Sequence, residues 1–318
     1  MDIAKIVFEL LDKVSDKVQN DTTDFDGTEN ITIKNDIIYN KRVPKACVLD
    51  YYKPEGKGQF PVVLYIHGGG FMAGDKAYRK ALGTWFALNG YFAINVNYGL
   101  SPEYVYPKPL KHLFAALGWI KRNADELNLN LEKIVVAGDS AGAFYALSLA
   151  AIIDNEDLKK KLGVKCDLSF AATILNCGIY DIKKSLDGYF LFDINKKVFE
   201  ATTGITEDEF MHYKYRKFCS PLELIEKGFP PTFLIYAEKD LLCKGQGEML
   251  IEKFDEKDVY FESFCSTSVL NNHCFSLEWK RKTAQVANQM LESFLLKLKN
   301  NDLPRHQSQT TIYIRGKE

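Results

Sequence analysis

Ser140 sits in Gly138-Asp139-Ser140-Ala141-Gly142, a G-x-S-x-G pentapeptide entered from the apolar run IVVAG at 134–138 and followed by the helix-like run AFYALSLA. A serine at the tip of a tight strand-to-helix turn projects its hydroxyl above the sheet, and the flanking glycines leave room for the crossing backbones. The helix N-terminus behind it offers amide N–H groups and positive partial charge to a developing oxyanion, which suits attack on an acyl carbon. Serine is also a favoured N-cap, so the pentapeptide alone also fits an inert glycine-rich turn.

A second stretch of bare backbone lies upstream, where VVLYI at 62–66 is followed by His67-Gly68-Gly69-Gly70-Phe71. Three glycines in a row pack nothing and cost conformational entropy, so the pattern calls for close approach of a ligand oxygen. The amides of Gly69 and Gly70, with the amide of Ala141, could converge on one oxyanion. His67, with Gly68, is expected to orient this loop by hydrogen bonding rather than to act as a base. A phosphate-cradling loop competes with this reading, but no G-x-x-x-x-G-K-[ST] is present, and no G-x-G-x-x-G leads into a helix with a suitably placed acidic residue.

These two segments resemble the hormone-sensitive-lipase-like family of esterases, whose signatures are HGGG and GDSAG. Between them, Asn97-Tyr98-Gly99-Leu100-Ser101-Pro102-Glu103, with Pro107 shortly after, resembles the family's YRLAPE-x-x-x-P segment. Gly99 stands where the family usually has arginine, a change expected to loosen a local salt bridge without touching the chemistry. The likeness extends from about residue 46 to 298. It implies short to medium acyl esters or acetylated small molecules as substrates, and a homodimer is common in similar proteins.

A serine nucleophile needs a base within hydrogen-bond reach, and the base needs a carboxylate to fix its tautomer. In the α/β-hydrolase fold that the resemblance implies, the chain order is Ser, then Asp or Glu, then His. Three histidines follow Ser140. His212 lies in the expected cap, ahead of the strand that should carry the acid, and His306 lies in the polar tail. His273, in NNHCFSL between the last strand and helix patterns, is the candidate base, where the family carries H-G-F and this chain has cysteine for the glycine. Asp240, after TFLIYAEK at the carboxyl end of a strand pattern, is the candidate acid; the family's D-P-L segment is here Asp240-Leu241-Leu242. Glu238 and Asp258 are the competing acids, both better read as solvated surface groups, and Glu238, two positions away, stays open.

The elements that must hold these residues follow from periodicity. Short apolar runs rich in β-branched and aromatic residues (ACVLDYY, VVLYI, YFAINVNY, IVVAG, LSFAATIL, TFLIYA, VYFESF) read as buried strands. Helical patterns near 77–89, 108–124, 141–154, 242–255 and 279–298 separate them. The alternation predicts an α/β architecture, a mainly parallel central sheet flanked by helices. From 183 to 225 no strand pattern appears, and the aromatic-rich stretch there reads as an inserted cap segment over the sheet's carboxyl edge. Tyr189, Phe190, Phe192 and Phe199 are candidate lining residues for an acyl pocket. Residues 1–40 are expected to contribute the N-terminal part of the cap, with Ile3, Ile6, Val7, Leu10, Val14 and Val18 as one apolar stripe of a helix that must dock. The catalytic domain is then 41–182 with 226–300, and 301–318 a C-terminal extension.

Composition narrows the function. With 318 residues, 46% of them hydrophobic, the chain can bury a large core, and a formal charge of −1 gives no field to draw nucleic acid or an anionic membrane. A small-molecule ester substrate fits that balance. No apolar run approaches the roughly 20 residues that span a bilayer, and charges interrupt the N-terminal apolar pattern, so a cytoplasmic protein is expected. The seven cysteines are scattered without a CxxC pair, which indicates neither a disulfide framework nor a metal site. Cys274 is set apart only by following the candidate base. No cofactor is called for. The reading is a serine carboxylesterase, against an amide-cleaving relative such as an arylformamidase or small peptidase, a non-catalytic small-ligand receptor of the same fold, and a lipase acting at oil interfaces, which the charged cap region disfavours.

Overall fold

The computed structural model describes residues 3–21, 25–184 and 194–304, with the backbone of 313–316. In chain order its elements are α1 (Ile3–Gln19), β1 (Ile31–Ile38), β2 (Val48–Pro54), β3 (Phe60–Ile66), α2 (Lys80–Leu88), β4 (Phe92–Val96), α3 (Lys108–Arg122), α4 (Ala124–Leu127), β5 (Leu129–Asp139), α5 (Ala141–Ile153), α6 (Glu156–Leu162), β6 (Ala172–Asn176), α7 (Ile194–Thr203), β7 (Thr232–Ala237), α8 (Gln246–Glu256), β8 (Phe261–Ser266), α9 (Lys282–Asn300) and β9 (Tyr313–Gly316). Among the described residues the strands form one sheet in the order β1-β2-β4-β3-β5-β6-β7-β8-β9. Strand β2 is antiparallel to both its neighbours, and every pairing from β4 to β9 is parallel.

The continuous apolar runs of the central strands are explained by burial on both faces, as parallel sheets require. Along β3 the strand's period of two splits the side chains between two cores. Val62, Leu64 and Ile66 pack with Leu113 and Leu117 of α3, Phe144 and Leu147 of α5, and Leu250 and Phe254 of α8. Val63 and Tyr65 pack on the opposite side with Leu82 and Phe86 of α2 and Leu291, Phe294 and Leu295 of α9. Helix α5 is apolar on every side and almost wholly buried, so the turn that precedes it is anchored in the centre of the molecule. The α/β expectation is borne out, and no helix among the described residues is long and apolar enough to cross a membrane. Two strands carried no legible pattern: β1 is an edge strand with most of its residues exposed, and β9 lies in the stretch read as a C-terminal extension.

Helix α1 forms, but of the stripe its sequence shows only Val7 docks among the described side chains. Ala4, Val7 and Phe8 pack against Met72 and against Ile194, Val198 and Ala201 of α7, whereas Ile6, Leu10, Leu11, Val14 and Val18 are exposed. Polar ties at the helix end fix this rotation. Asn20 donates to the Ala77 carbonyl (3.0 Å) and accepts from the Ala81 amide (3.1 Å), Trp279 Nε1 donates to the Gln19 carbonyl (2.8 Å), and Arg79 Nη1 donates to Gln19 Oε1 (3.0 Å). One consequence is that Asp12, two helical steps of four beyond Ala4, turns inward with its Oδ2 buried and unpartnered.

Burial pushes the Asp12 carboxyl up to about 6, only partly opposed by the Arg79 charge. Below the ordinary value of 3.8 the group is protonated in both folded and unfolded chains, whereas between 3.8 and about 6 only the unfolded chain ionises freely, so folded-state stability falls as pH rises through that window. Asp12→Asn is therefore expected to stabilise the protein by an amount that grows across that window and then levels off. Urea midpoints of both proteins across this pH range test it; a difference independent of pH would refute the assignment.

Candidate active site

Strand β5 ends at Asp139 and α5 begins at Ala141, leaving Ser140 alone in the turn at φ 53°, ψ −121°. This left-handed conformation is costly for a residue with a side chain and is held by its surroundings. The Ser140 amide donates to the Asn176 carbonyl at the end of β6 (2.9 Å), and its carbonyl accepts from the Ala143 amide (3.0 Å). The flanking glycines are sterically obligatory. A Cβ at Gly142 would stand 2.0 Å from the Ile66 carbonyl oxygen, and one at Gly138 would stand 2.4 Å from the Gly142 backbone.

The glycine-rich loop after β3 lies directly against this turn. A Cβ on Gly68 would be 2.9 Å from that of Ser140; on Gly69 (φ 121°) it would be 2.2 Å from the Ala73 carbonyl oxygen, and on Gly70 (φ 58°) 2.5 Å from the Phe8 ring. Bare backbone is thus required at all three positions, with α1 closing over Gly70. His67 stacks on Tyr98 at 4.6 Å between ring centroids, bonds the Gly68 carbonyl through Nδ1 (2.7 Å), and is driven towards the neutral form by burial. Its surroundings are those of a loop-holding residue.

Beneath the turn, Asp139 is buried and paired. Arg79 grips it through Nε to Oδ1 (2.9 Å) and Nη2 to Oδ2 (2.7 Å), Tyr65 donates its hydroxyl (2.8 Å), and the Gly68 amide donates at 3.2 Å. No sequence motif marks Arg79 or Tyr65. The only available signal was Asp139 itself, an acid in a motif that the fold buries and that must therefore find a cation.

Asp240 and His273 come together from the loops after β7 and β8. His273 Nδ1 lies 2.8 Å from Asp240 Oδ2, and the amides of Leu242 and Cys243 donate to Oδ1 (2.8 and 2.9 Å). Burial would raise the Asp240 carboxyl, but the imidazole and these two amides hold it below its usual range. For His273, burial acts downwards and Asp240 upwards, and the carboxylate prevails, so the imidazole sits well above its ordinary value. Asn272, which no sequence motif marks, takes the amides of Leu241 (3.1 Å) and His273 (2.8 Å) on one side-chain oxygen and thereby ties the two loops.

The competing residues lie elsewhere. Glu238 faces Lys239 (2.9 Å), Asp258 faces Lys227 (3.8 Å), and His212 is exposed in a turn; His306 falls outside the described residues. Of the candidate pocket aromatics, Phe199 is core, buried edge-on against Phe210, whereas Tyr189, Phe190 and Phe192 fall outside the described residues. No side chain fits at Gly99, because a Cβ there would meet the Tyr104 ring at 2.4 Å, and its amide donates to His112 Nδ1 (3.1 Å).

Because Ser140 carries the strain of the turn, Ser140→Gly is expected to be more stable than Ser140→Ala by about 1–2 kcal/mol, the relief of a strained residue less the entropy that glycine loses on folding. Urea unfolding of the two variants at equal m-values measures this, and equal stability would show that the turn is unstrained.

The family model described as BD-FAE matches residues 49–254. A curated acetyl esterase of Salmonella schwarzengrund is 28% identical over 204 residues, covering 60% of this chain and 58% of that protein, so the chain spans under two thirds of the length of the curated relatives it matches. Among solved structures, an inhibited esterase B from Lactobacillus rhamnosis superposes with a TM-score of 0.81 at 21% identity over 94% of this chain and 96% of that one. An esterase from Pyrobaculum calidifontis superposes with a TM-score of 0.73 at 20% identity over 96% and 94%. The expected resemblance to esterases is borne out: the chain has the α/β-hydrolase fold and belongs to the BD-FAE family.

Proposed function

We propose that this protein is a serine carboxylesterase for short to medium acyl esters of small molecules. The observation that carries the reading is the 2.8 Å contact between His273 Nδ1 and Asp240, made by loops on the same sheet edge as the strained Ser140 turn. In the mechanism, Ser140 Oγ attacks the ester carbonyl while His273 accepts its proton, and Asp240 stabilises the imidazolium. The amides of Gly69, Gly70 and Ala141 hold the oxyanion, each such donor being worth about 10² to 10³ in rate. The imidazolium then protonates the departing alkoxide, leaving the acyl group on Ser140. Water, deprotonated by His273, cleaves that acyl-enzyme and restores the serine. The acetyl esterase relative supports a small acyl group. We assign the cap to the N-terminal part of residues 1–40, whose β1 instead joins the sheet, together with the inserted segment 183–225, of which 185–193 lie outside the described residues, and the cytoplasm as location, which suits seven free cysteines.

The test is turnover of p-nitrophenyl esters from acetyl to dodecanoyl, beside an anilide and N-formylkynurenine, by wild type and Ser140→Ala. Ester turnover that falls with chain length and drops by about 10⁴-fold or more in the variant is expected. Serine-dependent cleavage of the amides alone would replace the esterase with an amidase, and a folded but inert protein would leave a ligand-binding role.

The pH profile offers a separate check. His273 must be neutral to accept a proton, and its raised pKa places the acidic limb of kcat/KM above the ordinary imidazole value of 6.5. Asp240→Asn removes the charge that raises it, so the limb is expected to move down in pH while the rate falls by about 10⁴-fold. An unmoved limb would mean that another group titrates.

A further inference from the structure

We infer that a thiophilic divalent cation binds between Cys177, Cys274 and His273 and shuts the active site. The ligand atoms of these three residues lie within 4.8 Å of one another. A tetrahedral zinc ion with sulfur at about 2.3 Å sets its sulfurs about 3.8 Å apart, so a contraction of about 1 Å or less completes the set. Both cysteines are buried and free, and both occupy left-handed backbone, at φ 46° for Cys177 and 56° for Cys274. His273 is partly exposed and marks the side from which an ion enters.

Donor chemistry selects the ion. Two sulfurs and an imidazole suit a borderline-soft metal such as zinc or cadmium and disfavour magnesium or calcium, which take oxygen. Each thiol, and the imidazole where it is protonated, gives its proton to solvent on binding, and two thiolates with a neutral imidazole cancel the ion's double charge. The buried complex therefore carries no net charge. Three protein ligands leave the fourth position to water. Coordination disables the imidazole through either nitrogen: through Nε2 it removes the lone pair that must accept the serine proton, and through Nδ1 it displaces Asp240. Cys243 marks the rival site, because with Asp240 and His273 it forms a second set of ligand atoms within 4.8 Å of one another, and its replacement tells the two apart.

The inhibition rests on the proposed role of His273, but the binding does not, and the experiment separates them. Wild type, Cys177→Ala, Cys274→Gly and Cys243→Ala, kept reduced in chelator-free buffer, are titrated with cadmium for the thiolate charge-transfer band and with zinc for ester turnover. Each rate is normalised to that variant's own metal-free rate. One equivalent of cadmium should saturate the band in wild type, and zinc should inhibit reversibly, with EDTA restoring the rate. Cys177→Ala and Cys274→Gly should each weaken both effects by at least about tenfold, the lower end of what even outer-shell partners are worth. Cys274→Gly places glycine at a positive φ, so misfolding does not confound it. Absence of the band, a band indifferent to both replacements, or one lost only with Cys243 overturns the site. Cadmium bound as expected with turnover untouched by zinc overturns the inhibition.

Discussion

A carboxylate buried under the Ser140 turn has to be matched on every side, and the way Asp139 is matched sets the positions of the parts around it. Its two oxygens take donors from β3, from the glycine-rich loop and from the approach to α2, through Tyr65, Gly68 and Arg79. Burial would raise this carboxyl, but the guanidinium holds it below its usual range, so it stays charged. Removing one member of such a buried pair costs about 3–5 kcal/mol, more than a typical packing contact. The apposition of Gly68 and Ser140 is therefore maintained by an electrostatic constraint that loop entropy cannot overcome. Arg79 also reaches Gln19, so the seating of α1 over the glycine loop depends on the same charge.

What the sequence made legible and what it hid follow from the range of each constraint. Bare backbone leaves glycine in the sequence at the place where it is needed, and Gly138, Gly142 and the glycines at 68–70 are all positions where a Cβ would collide. Asp240 and His273 were legible because parallel strands deliver their following loops at the carboxyl edge in chain order. Arg79 and Tyr65 were not, because each meets Asp139 across sixty or more residues with no pattern to announce it. Strand β1 was hidden for another reason. An exposed edge strand buries neither face, so the alternation that marks other strands never arises.

Helix α1 shows periodicity predicting the element and mistaking its orientation. The stripe of Ile3, Ile6, Val7, Leu10, Val14 and Val18 fits a helix, and a helix forms, with Val7 docked and Ile6, Leu10, Val14 and Val18 exposed. Yet a few well-directed hydrogen bonds at Gln19 and Asn20, with the close fit of Phe8 on Gly70, outweigh the transfer of those side chains from water. A stripe reports how a helix could bury surface, and the partner decides whether it does. Asp12 is the cost of that choice, an acid turned inward beside a cation already engaged by Asp139.

The cysteines carry the same lesson from the opposite direction. Their spacing indicated no metal site, because such rules recognise ligands that share one turn. Strands β6, β7 and β8 are neighbours and parallel, so residues just past their carboxyl ends converge however far apart they lie in the chain. Cys177 follows β6, Asp240 and Cys243 follow β7, and His273 and Cys274 follow β8. The topology that joins Asp240 to His273 thus brings the thiols of Cys177 and Cys274 to the same imidazole. Burial pushes the Cys243 thiol up to about 12, so at neutral pH it stays protonated and leaves Asp240 as the charge that sets the imidazole's basicity.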